Sequence, residues 1–321
     1  PIFLMSLDLP LPKQVFGHPW LLQGDGKMSK SKGNVLYADE LVDFFGVDAV
    51  RYFVLHEMPF ENDGVITWEL MVERLNSELA NTLGNLVNRT VSMSNKYFGG
   101  VVTNTGVEED VDADLKATVL GTLTKTTEKM DQLRVADALT EIFALFKRCN
   151  KYIDETMPWA LAKDPEKKDR LATVLYNLVE SISYGAALLE SFMPTTSKKI
   201  LAQLNAKPRT IDQMTEFGLY ESGTRVTETP EILFARLDVK EVLAKVEEHK
   251  AAQAAEAAQK ENVIDIEAKE AVSYDDFAKL QFQVGEILSC EAVPKADKLL
   301  CSQVKIGSQV RQIVSGIRST Y

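Results

Sequence analysis

Residues 24–34 read Gly-Asp-Gly-Lys-Met-Ser-Lys-Ser-Lys-Gly-Asn, and the pattern around this loop decides how the first part of the chain folds. A short apolar run at residues 15–23 precedes the loop and predicts a buried strand. Two helical patterns follow it, at 38–45 and 47–57, with Gly46 as the stop between them. A strand, a glycine-rich loop and helices in this order predict an α/β segment.

The loop itself carries positive charge at close spacing. Lys27, Lys30 and Lys32 fall between Gly26 and Gly33, so a flexible cationic backbone can approach a polyphosphate closely. Transfer at an α-phosphorus builds negative charge on the phosphorus oxygens and on the departing pyrophosphate. Ammonium groups placed there lower the barrier more than they tighten ground-state binding. The sequence therefore predicts a loop that binds and acts on a polyphosphate.

The rest of the chain changes character twice. From Thr67 to Phe98 apolar residues recur every three or four positions, which predicts a long amphipathic helix. An Ala-, Glu- and Lys-rich stretch later has too few large apolar groups for a core, and short strand patterns follow it. Further helical patterns cover 112–133, 135–157, 158–163, 167–192 and 195–204. The expected domains are 1–66 (α/β), 67–239 (α-helical bundle), 240–272 (helical linker) and 273–321 (the first half of a small β-barrel).

Composition narrows the class of protein. The net charge of −11 argues against non-specific nucleic-acid binding but leaves a focused basic site open. The three cysteines, Cys149, Cys290 and Cys301, show no CxxC spacing. We therefore expect no metal site and no disulfide framework in this chain, and a cytoplasmic location.

The string at 27–31 resembles the KMSKS signature of class I aminoacyl-tRNA synthetases. The resemblance implies the end of a Rossmann-like catalytic domain that binds ATP together with Mg²⁺. It implies catalytic roles for Lys27 and Lys30, with Lys30 as the main phosphate contact. Met28, Ser29 and Ser31 complete the implied ATP-binding loop.

Residues beyond the loop are similar to methionyl-tRNA synthetases of the bacterial type. The similarity rests on Asp63-Gly64-Val65, on the stretch 83–90 and on Pro158-Trp159. In that family an Asn, an Arg four residues later and the Trp of a Pro-Trp pair read the CAU anticodon. Asn85, Arg89 and Trp159 match those positions.

The chemistry of these three residues agrees with that role. Asn85 and Arg89 are one helical turn apart and project from the same face. Asn offers a donor and an acceptor to a base edge, Arg makes a forked or stacked contact, and Trp159 is a platform for an unpaired base. The competing interpretation is a solvated helix flank and a tryptophan in the core.

The end of the chain is similar to the tRNA-binding OB domain attached to many bacterial methionyl enzymes. The matching stretches are 277–280, 284–287, 296–299 and 313–317. The resemblance implies contacts from Lys295, Lys298 and Arg311 to the tRNA backbone. It also implies a homodimer of the full-length protein through this domain.

The family's other signature, His-x-Gly-His, is missing, since the only histidines are His18, His56 and His249. We therefore expect a C-terminal fragment that cannot form methionyl-adenylate alone; its methionine pocket, and any Zn²⁺ site, would lie upstream of Pro1. The resemblance implies a methionine–tRNA ligase that activates methionine with ATP and transfers it to the 3′ end of tRNA(Met). Two alternatives stay open, a leucyl-type class I synthetase and a non-catalytic tRNA-binding module.

Overall fold

The computed structural model describes residues 1–24, 26–29, 35–58, 62–260 and 271–318. The chain divides into two compact units, Pro1–Glu256 and Ala257–Tyr321, which are taken separately below.

Helices dominate the first unit. They are α1 (Ile2–Ser6), α2 (Ala38–Phe45), α3 (Val47–Glu57), α4 (Trp68–Arg74), α5 (Asn85–Phe98), α6 (Asp110–Asp131), α7 (Val135–Thr156), α8 (Pro158–Leu161), α9 (Lys168–Leu189), α10 (Pro194–Leu204) and, as far as Glu256, α11 (Val239–Lys260). A π-helical segment, Leu75–Gly84, joins α4 to α5, so the long helix predicted from Thr67 to Phe98 is continuous but has a wider middle. Among the residues described, 3₁₀ turns also form at Pro165–Lys167 and Ile211–Gln213.

Two small sheets accompany these helices. In the first, β1 (Leu21–Gln23) lies between β2 (Gly26–Lys27), which is antiparallel to it, and β3 (Gly64–Ile66), which is parallel. In the second, β4 (Val101–Val102) pairs with β5 (Thr224–Arg225). Because β1 precedes the lysine-rich loop and β3 leads directly into α4, the first sheet connects that loop to the long helix.

The buried strand expected over residues 15–23 is wrong in extent. Only Leu21–Gln23 is a strand, and Val15 and Trp20 are 84% and 60% exposed. The reason is the length of the partner: β3 has three residues, and its pairing with β1 runs only from Leu21 to Gln23. By contrast α2 and α3 have the expected bounds, with Gly46 between them at φ 82°.

One continuous core runs from Leu41 in α2 to Val246 in α11. Helix α9 lies at its centre and is buried along almost its whole length. The stretch expected to be a helical linker is helical, but its beginning also packs: Val242 and Val246 are buried, and the His249 ring lies edge-on to Phe44, 6.0 Å between centroids. The domain boundaries stay predictions.

Helix α3 is clamped to the corner between α9 and α10. The buried Asp48 accepts a hydrogen bond from the Thr196 N–H at 2.5 Å, in the first turn of α10. Arg51 donates to the carbonyls of Ser191 and Phe192, just after α9, at 3.0 and 2.7 Å. These contacts join the segment that follows the lysine-rich loop to the helical bundle.

The second unit contains α12 (Tyr274–Phe277) and an antiparallel sheet in the order β6 (Glu286–Ala292), β7 (Leu300–Ile306) and β8 (Gln309–Ser315). Short strands were expected here. The stretch that contains Leu280 and Phe282 precedes β6 and is not a strand, and both residues are exposed, whereas Val304 in the central strand is buried. A Cβ at Gly285 would overlap the Val304 side chain, so that glycine provides the space in which Val304 packs.

Candidate nucleic-acid interface

The first lysine of the loop rests on an aromatic ring. Lys27 Nζ lies 3.8 Å from the centroid of the Trp20 indole, a cation–π distance. Trp20 is held by its backbone, which donates to Asp63 Oδ1 at 2.9 Å and accepts from the Gly64 N–H at 3.0 Å. Trp20 was not among the predicted site residues. The contact depends on the pairing of Leu22 with Lys27, which puts Trp20 on the same face of the hairpin as Lys27, and the sequence alone does not fix this register.

The remaining loop residues divide into two groups. Met28 is half-buried against the core, and Ser29 is half-buried beside it. Lys30 and Ser31 lie outside the described residues. Within the described ranges, no group of three or more His, Cys, Asp or Glu side chains could hold a metal ion.

Asn85 and Arg89 lie on the first two turns of α5. Asn85 is exposed, and about a third of the Arg89 side chain (32%) is accessible. Arg89 Nη2 is 3.8 Å from Asp154 Oδ1 at the end of α7, and that carboxylate is itself 70% exposed. The guanidinium is thus oriented by an exposed, weak ion pair and keeps donors for a ligand.

Polar contacts hold α7 alongside the helix that carries Asn85 and Arg89. Lys147 donates to Glu78 at 2.9 Å, and Asn150 Nδ2 donates to the Thr82 carbonyl at 2.9 Å. Together with the Arg89–Asp154 ion pair, these contacts follow one another in the same order along both helices. They bring the last turn of α7 beside Asn85 and Arg89.

Trp159 follows directly from that last turn. Met157 adopts a left-handed conformation (φ 43°) that ends α7, and the buried Pro158 opens the short helix α8. Trp159 is 42% exposed, which is not a core position. Before Trp159, Asp154 contacts Arg89 on α5, and after it the residues that follow α8 share a cavity with Phe98 at the end of α5. The segment with Trp159 therefore runs alongside α5 between Arg89 and Phe98.

A buried network fixes the end of α7. Asp112 on α6 receives hydrogen bonds from Arg170 at 2.7 and 3.0 Å and a further one from the Tyr152 hydroxyl. Burial by itself raises the pKa of the Asp112 carboxyl, but the bonds from Arg170 and Tyr152 outweigh it and hold this pKa below its ordinary value of 3.8. Tyr152 lies two residues before Asp154, so the network positions the residues around Arg89.

This network predicts how stability depends on pH. Because the pKa of Asp112 is lower in the folded state than in the unfolded chain, its stabilisation is present above about pH 4 and is lost as the pH falls through the folded value. Tyr152→Phe removes one bond to the carboxylate. We expect it to lower the free energy of unfolding at neutral pH by about 1 kcal/mol and to move acid unfolding to higher pH. Circular dichroism followed against pH gives the acid midpoint, and urea unfolding at neutral pH gives the free energy of unfolding. Tyr37→Phe, at a surface tyrosine, should leave the curve in place, and equal curves for the two variants would contradict the prediction.

The three candidate RNA contacts of the second unit are exposed but do not form one cluster. Lys295 and Lys298 lie in the connection between β6 and β7. Arg311 lies on β8 and pairs with Val304, four residues along β7 from that connection. The sheet therefore separates Arg311 from the two lysines.

Comparison with known proteins gives the context of these sites. Residues 1–91 match the family model of class I tRNA synthetases (M), residues 102–255 match the anticodon binding domain of methionyl tRNA ligase, and residues 282–321 match a putative tRNA binding domain. Among the described residues, none of the helices combines the length and the apolar character needed to cross a membrane.

Individual relatives agree with these models. The chain is 49% identical over 322 residues to the methionine–tRNA ligase of Caldanaerobacter subterraneus subsp. tengcongensis and 46% identical over 321 residues to that of Clostridium perfringens. All of this chain is covered in both cases, but only 49% of each relative, so the chain spans about half the length of these relatives. The structure resembles Mycobacterium tuberculosis methionyl-tRNA synthetase in complex with methionyl-adenylate, with TM-score 0.68 and 37% identity, over 74% of this chain and 47% of that one. The chain therefore belongs to the methionyl-tRNA synthetase family of class I synthetases.

Proposed function

We propose that this chain provides anticodon recognition and the KMSKS loop of a methionine–tRNA ligase. The observation that supports the proposal is that three side chains able to contact unpaired bases are accessible on neighbouring segments. Asn85, Arg89 and Trp159 come from two elements, remain accessible, and lie on neighbouring segments joined through Asp154. A solvated flank would not need Trp159 to be held outside the core beside them.

The chemistry of the interface suits an unpaired anticodon. Trp159 stacks on a loop base, which is the usual way in which proteins hold single-stranded RNA. Asn85 reads a base edge with a donor and an acceptor, and Arg89 adds a forked contact or a second stack. The weak pair between Arg89 and Asp154 orients the guanidinium and yields when a base arrives.

The activation step belongs to the loop. ATP, with its Mg²⁺, is a substrate that reacts with methionine to give methionyl-adenylate and pyrophosphate. Lys27 and Lys30 stabilise the charge on the transferring phosphorus and on the leaving pyrophosphate. Support comes from Lys27, whose ammonium sits over Trp20 beside β1, at the entrance to the loop. Trp20 thus positions the Lys27 side chain through a cation–π contact.

The second unit supplies affinity for the tRNA backbone. We assign Lys295, Lys298 and Arg311 to phosphate contacts that do not read sequence. The full-length protein forms a homodimer through this domain and works in the cytoplasm. The leucyl-type alternative is not favoured, because the matching relatives are methionine–tRNA ligases. The non-catalytic alternative leaves the lysine-rich loop without a role.

The test of anticodon recognition is Trp159→Ala. We expect this variant to bind an RNA hairpin with CAU in its loop about 1–3 kcal/mol more weakly, because one base loses its stacking platform. Titration of the labelled hairpin with the purified chain measures the change. Thermal unfolding should stay close to wild type, since Trp159 is outside the core.

The matched control is Ile211→Ala, which truncates a side chain that is 70% exposed on a different element. Ile211→Ala should bind the hairpin as the wild type does. If the wild-type chain binds CAU and scrambled loops equally, or if Trp159→Ala binds as well as the control, the proposed anticodon site is wrong.

A further inference from the structure

A small cavity lies between the end of α5 and the residues that follow α8. Its volume is about 150 Å³, and its lining includes Tyr97, Phe98, Ala162, Lys168 and Asp164, whose carboxylate accepts a hydrogen bond from the Glu166 N–H in the turn Pro165–Lys167. Ordinary small-molecule pockets begin at roughly 300 Å³, so this cavity has room for one flat ring and not for a whole nucleotide.

Ammonium groups lie over both aromatic rings at this place. Lys96 Nζ is 5.4 Å from the centroid of the Tyr97 ring, and Lys168 Nζ is 6.0 Å from that of Phe98. An aromatic face stacks on a nucleobase of any sequence, and a neighbouring cation neutralises its phosphate. Both components of a single-stranded RNA site are therefore present.

The cavity lies farther along the same two segments than the anticodon site. Asn85, Arg89, Ser92 and Lys96 follow one another along α5 at intervals of four, three and four residues, which places them on one face of the helix. On the neighbouring segment Trp159 and Ala162 are three residues apart. On α5, Tyr97 of the cavity follows Arg89 by eight residues, about two turns, and Lys96 is its neighbour on the Arg89 face.

We propose that this cavity binds one further unpaired nucleobase of the tRNA loop, beyond the bases read by Asn85, Arg89 and Trp159. The inference rests on the proposed function, since it extends the same RNA track. The base takes the place of the ammonium groups over the Tyr97 and Phe98 rings, and the displaced Lys96 and Lys168 pair with its phosphate.

The cavity can be closed without removing core atoms. Ala162 is exposed and lines the cavity, so Ala162→Phe fills it from the solvent side. We expect this variant to bind the CAU hairpin about tenfold more weakly, which is the worth of one stacked base. Ala117→Phe, at an exposed alanine of α6 away from the cavity, is the matched control and should bind as the wild type does. Lys168→Gln should weaken binding and lower the salt dependence by about one phosphate contact.

Hairpins with an abasic nucleotide at each loop position identify the base. One abasic hairpin should bind the wild type about tenfold more weakly and lose nothing more in Ala162→Phe, because both changes remove the same contact. The inference is overturned if Ala162→Phe binds the hairpin as tightly as Ala117→Phe does. It is also overturned if Ala162→Phe loses the same affinity for every abasic hairpin. If Trp159→Ala still weakens binding in that case, only the cavity is misassigned. If no protein variant affects hairpin binding, the proposed function fails with it.

Discussion

Glu180→Gln should lower the free energy of unfolding of the chain by about 3–5 kcal/mol, because it leaves a buried arginine without its counter-ion. The Glu180 side chain is completely buried, and that of Arg209 is 7% exposed. The carboxylate accepts hydrogen bonds from both Arg209 Nη atoms and from the N–H groups of Gly218, Leu219 and Tyr220 at 2.9, 3.2 and 2.9 Å. One carboxylate in α9 thus ties the loop that follows α10 to the centre of the bundle. The amide of glutamine would offer one acceptor oxygen, and its NH₂ group would face the N–H donors of Arg209 and of the loop.

Urea unfolding followed by circular dichroism measures this loss. Glu221→Gln is the matched control, since its carboxylate is 73% exposed and pairs with Lys207, which is 88% exposed. An exposed pair contributes about 0–1 kcal/mol, so the control should unfold near the wild-type midpoint. Similar midpoints for the two variants would mean that Glu180 does not organise the bundle.

Lys30→Ala should slow adenylate formation by roughly 10²–10³-fold, the usual effect of removing one preorganised group that stabilises a transition state. The measurement needs an enzyme of the relatives' full length that contains this sequence. Single-turnover formation of methionyl-adenylate gives the rate, and ATP titration gives the dissociation constant. Because the ammonium acts mainly on the charge that develops in the reaction, ATP affinity should change much less than the rate.

Lys13→Ala removes the same charge from an exposed position that precedes β1, and it should leave both quantities unchanged. A variant at Lys30 with the wild-type rate and a raised ATP dissociation constant would assign this lysine to ground-state binding. If the Lys30 variant binds hairpin RNA as the wild type does, the lysine-rich loop and the anticodon site act independently.

Local patterns predicted the helices well because the apolar positions of a buried helix repeat visibly. The apolar residues that recur between Thr67 and Phe98 include Met71, Leu75, Leu79 and Leu83, and all four are buried. The widened turn in the same stretch was not predicted, since no residue type marks it. The strand before the loop was overestimated because its length depends on β3, which is distant in sequence.

Part of the site was predictable from residue type and spacing. Residue type and spacing indicated Asn85, Arg89 and Trp159, but the pairing of Arg89 with Asp154 depends on how α7 packs against α5. A tryptophan after proline is as consistent with a core as with a surface, and only the left-handed Met157 and the buried Pro158 explain its exposure. Buried charges such as Glu180 also gave no signal, because their partners come from loops.

The contacts that α3 makes at the corner between α9 and α10 are directional. Asp48 meets an amide at the beginning of one helix, where the helix dipole is positive, and Arg51 meets carbonyls at the end of another, where it is negative. If α3 packed with its ends reversed, the carboxylate would face carbonyl oxygens and the guanidinium would face amide hydrogens. Exchanging the two residues would produce the same mismatch, so a charge swap could not restore this contact as it can restore a surface ion pair. The two side chains therefore select one chain direction for α3 over its reverse.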